Sequence, residues 1–433
     1  MPDATTSSIA PLQAPPPPPP LDELSTQYVT LAFGLAAHID GAIDGYYGPE
    51  SLRPAPDALK PAPEDLVRQT NDLLAAIERA DITPNRLDYL TAQARGMATM
   101  AAKLAGEPIA YEDEVRQYFD IEPVRTPDAV YDEALAALDD ALPGKGSGSL
   151  AERTIAYRKQ FEVPVEAARQ IVPAIVAEVR RRTAAFVALP EEESVELSFV
   201  SDKPWSGYNW YLGGNRSLIE INTDLPVKAN ALLDLMAHEG YPGHHTEHAL
   251  KEQRLYRERG FGEHSILLIN TPECVISEGI ATLAASIVFA PGEAEAWQAE
   301  HVFAPLGIAS DPERDRQVAA AQRVFRSVSG NAGLMLHQDG ADPEDVIAYL
   351  QTYTLASETE ARHRFRFVSD PLWGPYVFTY HVGRDLLDAW LDRPVDEEPV
   401  GPDIDAFARR QQRFVQLLEG QVTPSMLRAD LLP

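Results

Sequence analysis

The stretch HEGYPGHHTEH, residues 238–248, holds four of the chain's ten histidines and two glutamates. Imidazole nitrogens and carboxylates are donors that zinc takes. A His-Glu pair on a helix is how a hydrolytic zinc site begins, the histidine on the metal and the glutamate beside the water to be activated. In the regular form a second histidine follows four residues after the first, on the same helix face. Here Pro242 stands in that place and the next histidine is His244, six residues on. On an ideal helix that spacing leaves the two side chains roughly 120° apart. Proline removes a backbone donor and clashes with the preceding turn, and glycine tolerates backbone angles that other residues avoid. The Pro242-Gly243 pair therefore predicts a bulge or kink that turns His244 back toward His238. Two other assignments compete: His245 as second ligand across a larger bend, and His244 with His248, a regular i, i+4 pair that needs no His238.

The surrounding pattern says what must position these groups. Leu232, Leu235, Met236 and Glu239 recur at helical spacing, so VKANALLDLMAHE is expected to be a helix running into the cluster. Just upstream the period changes. SVELSFV alternates, and YNWYLGGNRSLIEINTD reads as two short strands about Gly213-Gly214-Asn215, a hairpin signal. Earlier segments, including EDLVRQTNDLLAAIERA, RLDYLTAQARGMATMAAKLAG, AVYDEALAALDDAL and PAIVAEVRRRTAAFVAL, place apolar residues three and four apart, with PGKGSGS as a loop between helices. The expected organisation is a disordered Pro-rich leader over 1–23, a helical region over 24–190 walling a cleft, and a catalytic region over 191–433 with a small sheet. The fold class is mainly α.

Bulk properties exclude several functions. A net charge of −29, from 66 acidic and 37 basic residues, opposes binding to nucleic acid or an anionic membrane, which needs clustered Lys and Arg. The single cysteine, Cys274, has no partner for an intramolecular disulfide and reads as a small buried residue. The first residues show neither a basic nor an apolar segment of a secretion signal, and no apolar run is long enough to span a bilayer. A cytoplasmic location is expected.

HEGYPGHH resembles the H-E-x-x-P-G-H-H signature of the domain-of-unknown-function family numbered 885, bacterial proteins related to the gluzincin metallopeptidases. SEGIATLAAS (277–286) is similar to that family's E-G-W-A-L-Y-A-E stretch, with Ile280 in place of Trp. MLHQDGADPEDVIAYL (335–350) is similar to its G-L-H-containing stretch, and YHVGRDLL (380–387) to its Y-k-v-G segment. The resemblance implies a large helical zincin-like fold with its sheet beside the metal-binding helix. It also implies one zinc per chain, held by His238, His244 and, as third ligand from a following helix, Glu278. Thr271 and Pro272 mark the start of that helix. Glu273 is the rival carboxylate, sufficiently explained by its place in the first helical turn. The small residues Gly279, Ala281, Ala284 and Ala285 suggest close packing against the metal helix.

Given the metal, Glu239 is the expected general base and later acid. Tyr380 is the candidate donor to the oxyanion, with His337 behind it. Arg364, Arg366 and Arg384 are candidates to hold a substrate carboxylate. The family's aspartate before its G-L-H stretch falls at Gly333 here, leaving Asn331 as a substitute. The implied activity is hydrolysis of short peptides by a zinc metallopeptidase, with a small peptide or amide as partner. A zinc hydrolase of non-peptide amides or esters and a catalytically silent helical binding protein are the alternatives.

Overall fold

The computed structural model describes residues 20–203, 205–224, 226–394 and 405–432. Most of the Pro-rich leader therefore lies outside the described residues. Its last positions do not: Asp22 caps the first helix, its carboxylate accepting from the Ser25 N–H at 2.7 Å, and pairs with Arg86. The expected cleft-walling region contains α1 (Glu23–Ala36), α2 (Pro63–Arg79), α3 (Pro84–Leu104), α4 (Tyr111–Phe119), α5 (Asp128–Ala141), α6 (Leu150–Lys159) and α7 (Val165–Thr183). Local signals set their starts. Thr83 accepts from the N–H of Arg86 just before Pro84, and Ser149 with Glu152 forms a reciprocal capping box.

Three small sheets complement the helices. β1 (Ile43–Tyr46) pairs antiparallel with β7 (Ile266–Leu268), and β2 (Glu162–Val163) with β6 (Val227–Lys228). β3 (Ser194–Val200) runs parallel to β5 (Arg216–Asn222), which pairs antiparallel with β4 (Gly207–Tyr211) in the order β3-β5-β4. The β4–β5 connection turns through Gly213, Gly214 and Asn215, at φ of 74°, 63° and 61°. Those angles are why two glycines and an asparagine stand there.

The helix expected from Val227 begins later. Val227 and Lys228 are taken by the ladder to β2, Ala229–Ala231 form a 3₁₀ turn, and α8 spans Leu232–Glu239. α9 (His244–Lys251) and α10 (Pro272–Val288) follow. Further on, Trp373–Phe378, the π turn Thr379–Gly383 and Arg384–Leu391 run consecutively.

One contiguous interior joins the two halves of the chain, including Leu35, Leu66, Leu90 and Val172 from the first and Met236, Val275 and Phe378 from the second. A second cluster, with Ile276, Ile280, Leu283, Leu387 and Phe414, covers the other side of α10. Burial on both sides explains why α10 is apolar nearly all round. It also makes α10 a rigid carrier for the one carboxylate it holds at mid-length, Glu278.

Candidate metal centre

The segment that carries His238 and His244 does not bend; it stops and restarts. α8 ends at Glu239, four residues cross over, and α9 begins at His244. The crossing is closed by wide hydrogen bonds, Gly243 N–H to the Ala237 carbonyl at 3.0 Å and Thr246 N–H to the Gly240 carbonyl at 3.3 Å. The Tyr241–Pro242 peptide is cis. Gly243 has an unexceptional φ of −75°, so its torsional freedom at positive φ is not what the site uses. Space is: a Cβ there would lie 1.9 Å from the His238 carbonyl oxygen and 2.5 Å from that of Ala237. Glycine lets the two helix ends touch backbone to backbone. The His238 and His244 rings consequently face each other edge to face, with centroids 4.8 Å apart.

Glu278 completes a triangle with these rings. Its Oε2 lies 3.6 Å from His238 Nε2 and 4.0 Å from His244 Nε2, and the three donor atoms fall within 4.8 Å of one another. Oε1 accepts from the Tyr376 hydroxyl at 2.9 Å, whereas Oε2 is buried without a hydrogen-bond partner among the described residues. A buried carboxylate oxygen without a partner is costly, and a cation between the three donors would remove that cost. The outer contacts fix the ring as well. Ser277 donates to Glu247, so its oxygen accepts from His244 Nδ1 at 3.0 Å, and His244 presents a bare Nε2 toward Glu278. Burial, reinforced by the neighbouring His244 and Arg326 charges and opposed by a hydrogen bond with the Ala281 backbone, holds His238 well below the usual imidazole range. Burial lowers His244 too, against the pull of Glu247. Burial thus disfavours the protonated form of both rings, and the neutral form is the one that ligates metal.

The competing donors are committed elsewhere. His245 points into a buried network, with Nδ1 2.9 Å from Ser217 Oγ and Nε2 3.0 Å from Glu193 Oε2. Glu273 accepts from Tyr89 and Lys251. His244, Glu247 and His248 form a second convergent group, but Glu247 is already neutralised by Lys251 at 2.7 Å and bound by Ser277.

Glu239 borders the triangle, its Oε1 4.0 Å from His238 Nε2. Burial pushes its carboxyl up to about 8, the Glu278 and Asp44 charges add to this, and an Asn209 backbone hydrogen bond opposes it. Burial likewise drives Glu278 up to about 8 against the Tyr376 hydrogen bond. Tyr380 belongs to the same site. Its ring is 5.7 Å from that of Tyr376, and burial followed by the Glu278, Glu239 and Tyr208 charges raises its hydroxyl well above the usual phenol range. It sits on the π turn Thr379–Gly383, a local widening common at functional positions.

Sequence reasoning missed several members. Asp44 on β1 accepts from the Tyr208 hydroxyl, and burial pushes its carboxyl up to about 6. Asn209, next along β4, clasps the Glu239 carbonyl through its side-chain amide. Ser277 and Tyr376 orient His244 and Glu278. Ser277, adjacent to Glu278, was findable as an outer partner; Asp44 carries no local signal.

Other expectations are corrected. His337 is not brought to the cluster: its Nε2 lies 2.8 Å from the Val368 carbonyl oxygen, and its ring stacks on Tyr111. Asn331 clamps the Thr126 backbone and the Tyr349 hydroxyl. Gly279 packs on the backbone of Gly383 rather than on the metal helix, a Cβ there falling 2.8 Å from the Gly383 oxygen. Thr271 precedes α10 but makes no side-chain cap, its hydroxyl donating back to Leu268. Arg364 and Arg366 lie exposed on the helix Glu358–Ser369. Cys274 is buried, as expected, its thiol pushed up to about 12 by desolvation. A groove of about 1500 Å³, lined by Asn85, Arg95, Asp120 and Gln421 among others, contains none of the site residues.

No family model matches the chain, and neither does any curated protein. Among solved structures the chain is similar to a predicted lipoprotein from Colwellia psychrerythraea, at a TM-score of 0.54 and 18% identity, covering 86% of this chain and 67% of that one. It is also similar to a predicted lipoprotein of unknown function from Shewanella oneidensis, at a TM-score of 0.49 and 13% identity, covering 86% of this chain and 73% of that one. The first likeness is one of fold: a mainly helical chain with small sheets. No single described helix is long and apolar enough to cross a membrane.

Proposed function

We propose that the chain is a zinc-dependent hydrolase of short peptides, built on a zincin-like helical fold. The observation that carries this is Glu278 Oε2, buried without a hydrogen-bond partner among the described residues and facing two imidazole nitrogens, with a second carboxylate, Glu239, alongside. The resemblance of residues 238–245 and 277–286 to the family numbered 885 supports the same reading. His238, His244 and Glu278 are the zinc ligands. Zinc supplies Lewis acidity toward the scissile carbonyl and brings the ionisation of a bound water near neutrality.

Glu239 takes the proton from the attacking water; a cation held by the three ligands would lower its raised affinity for protons. It then delivers that proton to the leaving amine as the C–N bond breaks. Tyr380 has no described hydrogen-bond partner and donates to the oxyanion. Tyr376 and Ser277 hold Glu278 and His244 in place. The same groups cleave non-peptide amides and esters, so substrate separates those readings; a purely structural role leaves the orphaned oxygen without explanation. A cytoplasmic location is part of the proposal and rests on the single buried thiol; the lipoprotein names belong to the two neighbours. Metal analysis of the purified protein, combined with a peptide-mixture cleavage assay run beside Glu239→Gln, tests it. About one zinc per chain and cleavage lost in the variant are expected; a metal-free, inactive protein refutes it.

A further inference from the structure

Arg384, Arg323 and Arg326 act on one another electrostatically, and Arg384 stands about one helical turn along α10 from Glu278. Arg384 begins the helix Arg384–Leu391 and donates at 2.8 Å to the carbonyl of Thr282, four residues beyond Glu278 on α10. Its position relative to Glu278 is fixed by backbone contact, because a Cβ on Gly383 would fall 2.3 Å from the Val275 oxygen and one on Gly279 2.8 Å from the Gly383 oxygen. Arg326 lies on the 3₁₀ turn Phe325–Ser327, which packs against Thr379–Gly383, and Arg323 lies a turn earlier. Arg326 acts electrostatically on His238 and on Asp234, which stands four residues before His238 on the same face of α8.

Arg323 and Arg326 are exposed, and neither makes a hydrogen bond or ion pair with another described residue. The carboxylates that act on them electrostatically are Asp234, Asp385 and Asp388, and Asp388 is paired with Arg410. Burial, then the charges of Arg323 and Arg326, pulls Arg384 down to about 10 despite Asp388 and Asp385. In a chain of net charge −29, guanidinium groups held together without a bonded carboxylate among the described residues offer charge complementary to an anion.

The geometry points to a subsite in which Arg326, with Arg323 and Arg384, binds the C-terminal carboxylate of a short peptide whose scissile carbonyl lies at the His238, His244 and Glu278 triangle. The substrates would then be peptides with a free C-terminus. Four helical residues rise about 6 Å, and an extended chain advances about 3.3–3.6 Å per residue. One or two residues therefore lie beyond the cleaved bond, which makes the reaction removal of a C-terminal residue or dipeptide. This substrate class rests on the peptidase reading above, whereas the anion subsite is tested by binding alone.

The test is calorimetric titration of the full zinc-loaded chain, and of the same chain after chelation, with acetyl-trialanine and with its C-terminal amide. The acid is expected to bind at least about tenfold more tightly than the amide in both forms, the factor of one lost charge-assisted hydrogen bond. The preference should fall below about twofold in the Arg323→Gln, Arg326→Gln double variant, whose substituted side chains make no hydrogen bond or ion pair with another described residue. Equal binding of acid and amide, no binding of either, or an undiminished preference in the double variant overturns the subsite. A preference confined to the zinc-loaded form would place the carboxylate on the metal and also overturns it. If the arginine-dependent preference appears but a peptide mixture is not cleaved, the peptidase reading fails and the anion subsite stands.

Discussion

Replacing Gly243 by alanine adds one methyl group and removes no proposed ligand, yet it is expected to damage the proposed metal centre. The new Cβ would lie 1.9 Å from the His238 carbonyl oxygen, whereas carbon atoms in that position keep at least 3.0 Å, so the helix ends must separate by about 1.1 Å (3.0 − 1.9). Both crowded oxygens, on Ala237 and His238, are backbone, so no side-chain rotation relieves the clash. The separation moves α9, and with it His244, away from α8 and His238. Zinc–ligand distances hold to roughly ±0.2 Å, so a shift of this size takes one imidazole out of range. The expected result is zinc affinity lower by about 10- to 100-fold, comparable to losing an orienting partner, with a destabilisation of roughly 1–3 kcal/mol for the overpacking. Competition with a chromophoric chelator measures the first and thermal melting of the chelated protein the second. Zinc affinity within about twofold of wild type at an unchanged Tm would show that the close crossing at Gly243 does not set the ligand geometry.

Glu278→Ala should lower zinc content well below one per chain, while Glu239→Gln should retain the metal and lose turnover; the reverse pattern would exchange ligand and base. Tyr380→Phe should reduce kcat by about 10²-fold with little change in KM, and an unchanged kcat would remove it from the oxyanion role. His248→Ala should keep zinc affinity, and His245→Ala should lower Tm without releasing metal, because its ring serves the Glu193 and Ser217 network. In the chelated protein Glu239 and Glu278 are pushed up to about 8, chiefly by burial, from an ordinary value of 4.5. The folded state thus keeps protons the unfolded state has lost, and stability falls as pH rises toward 8. His238 and His244, held below 6.5, give the opposite slope only below that value. From pH 6.5 to 8 the chelated protein should therefore lose stability, on the order of 1 kcal/mol per unit per carboxylate, and Glu239→Gln should reduce the loss. A flat or rising Tm over that range counts against the shared burial of the two carboxylates.

The sequence pattern exposed most helices, the Gly-Gly-Asn hairpin and the residues that converge on the site, because helical period, turn chemistry and ligand type are local properties. How the converging residues meet was less legible. Pro242-Gly243 announced an interruption, but whether it bends one helix or joins two depends on the wide hydrogen bonds of Gly243 and Thr246 to carbonyls six residues back. Val227 and Lys228 kept a helical pattern yet went to a two-residue ladder with β2, a partner distant in sequence. His337 had the right residue type in a family-like block, and only the Val368 carbonyl and the Tyr111 ring show it engaged elsewhere. Asp44, Arg323 and Arg326 come near the candidate site only through tertiary packing, which spacing along the chain does not encode, whereas Arg384 was already a candidate from the sequence.

The central claim is that one metal sits among His238, His244 and Glu278. Crystals of the zinc-loaded protein, measured on both sides of the zinc absorption edge, test it directly. The account predicts one anomalous peak at about 2.0–2.2 Å from His238 Nε2, His244 Nε2 and Glu278 Oε2, with Glu239 adjacent and unligated. A peak among His244, Glu247 and His248, or none in zinc-saturated crystals, would contradict it.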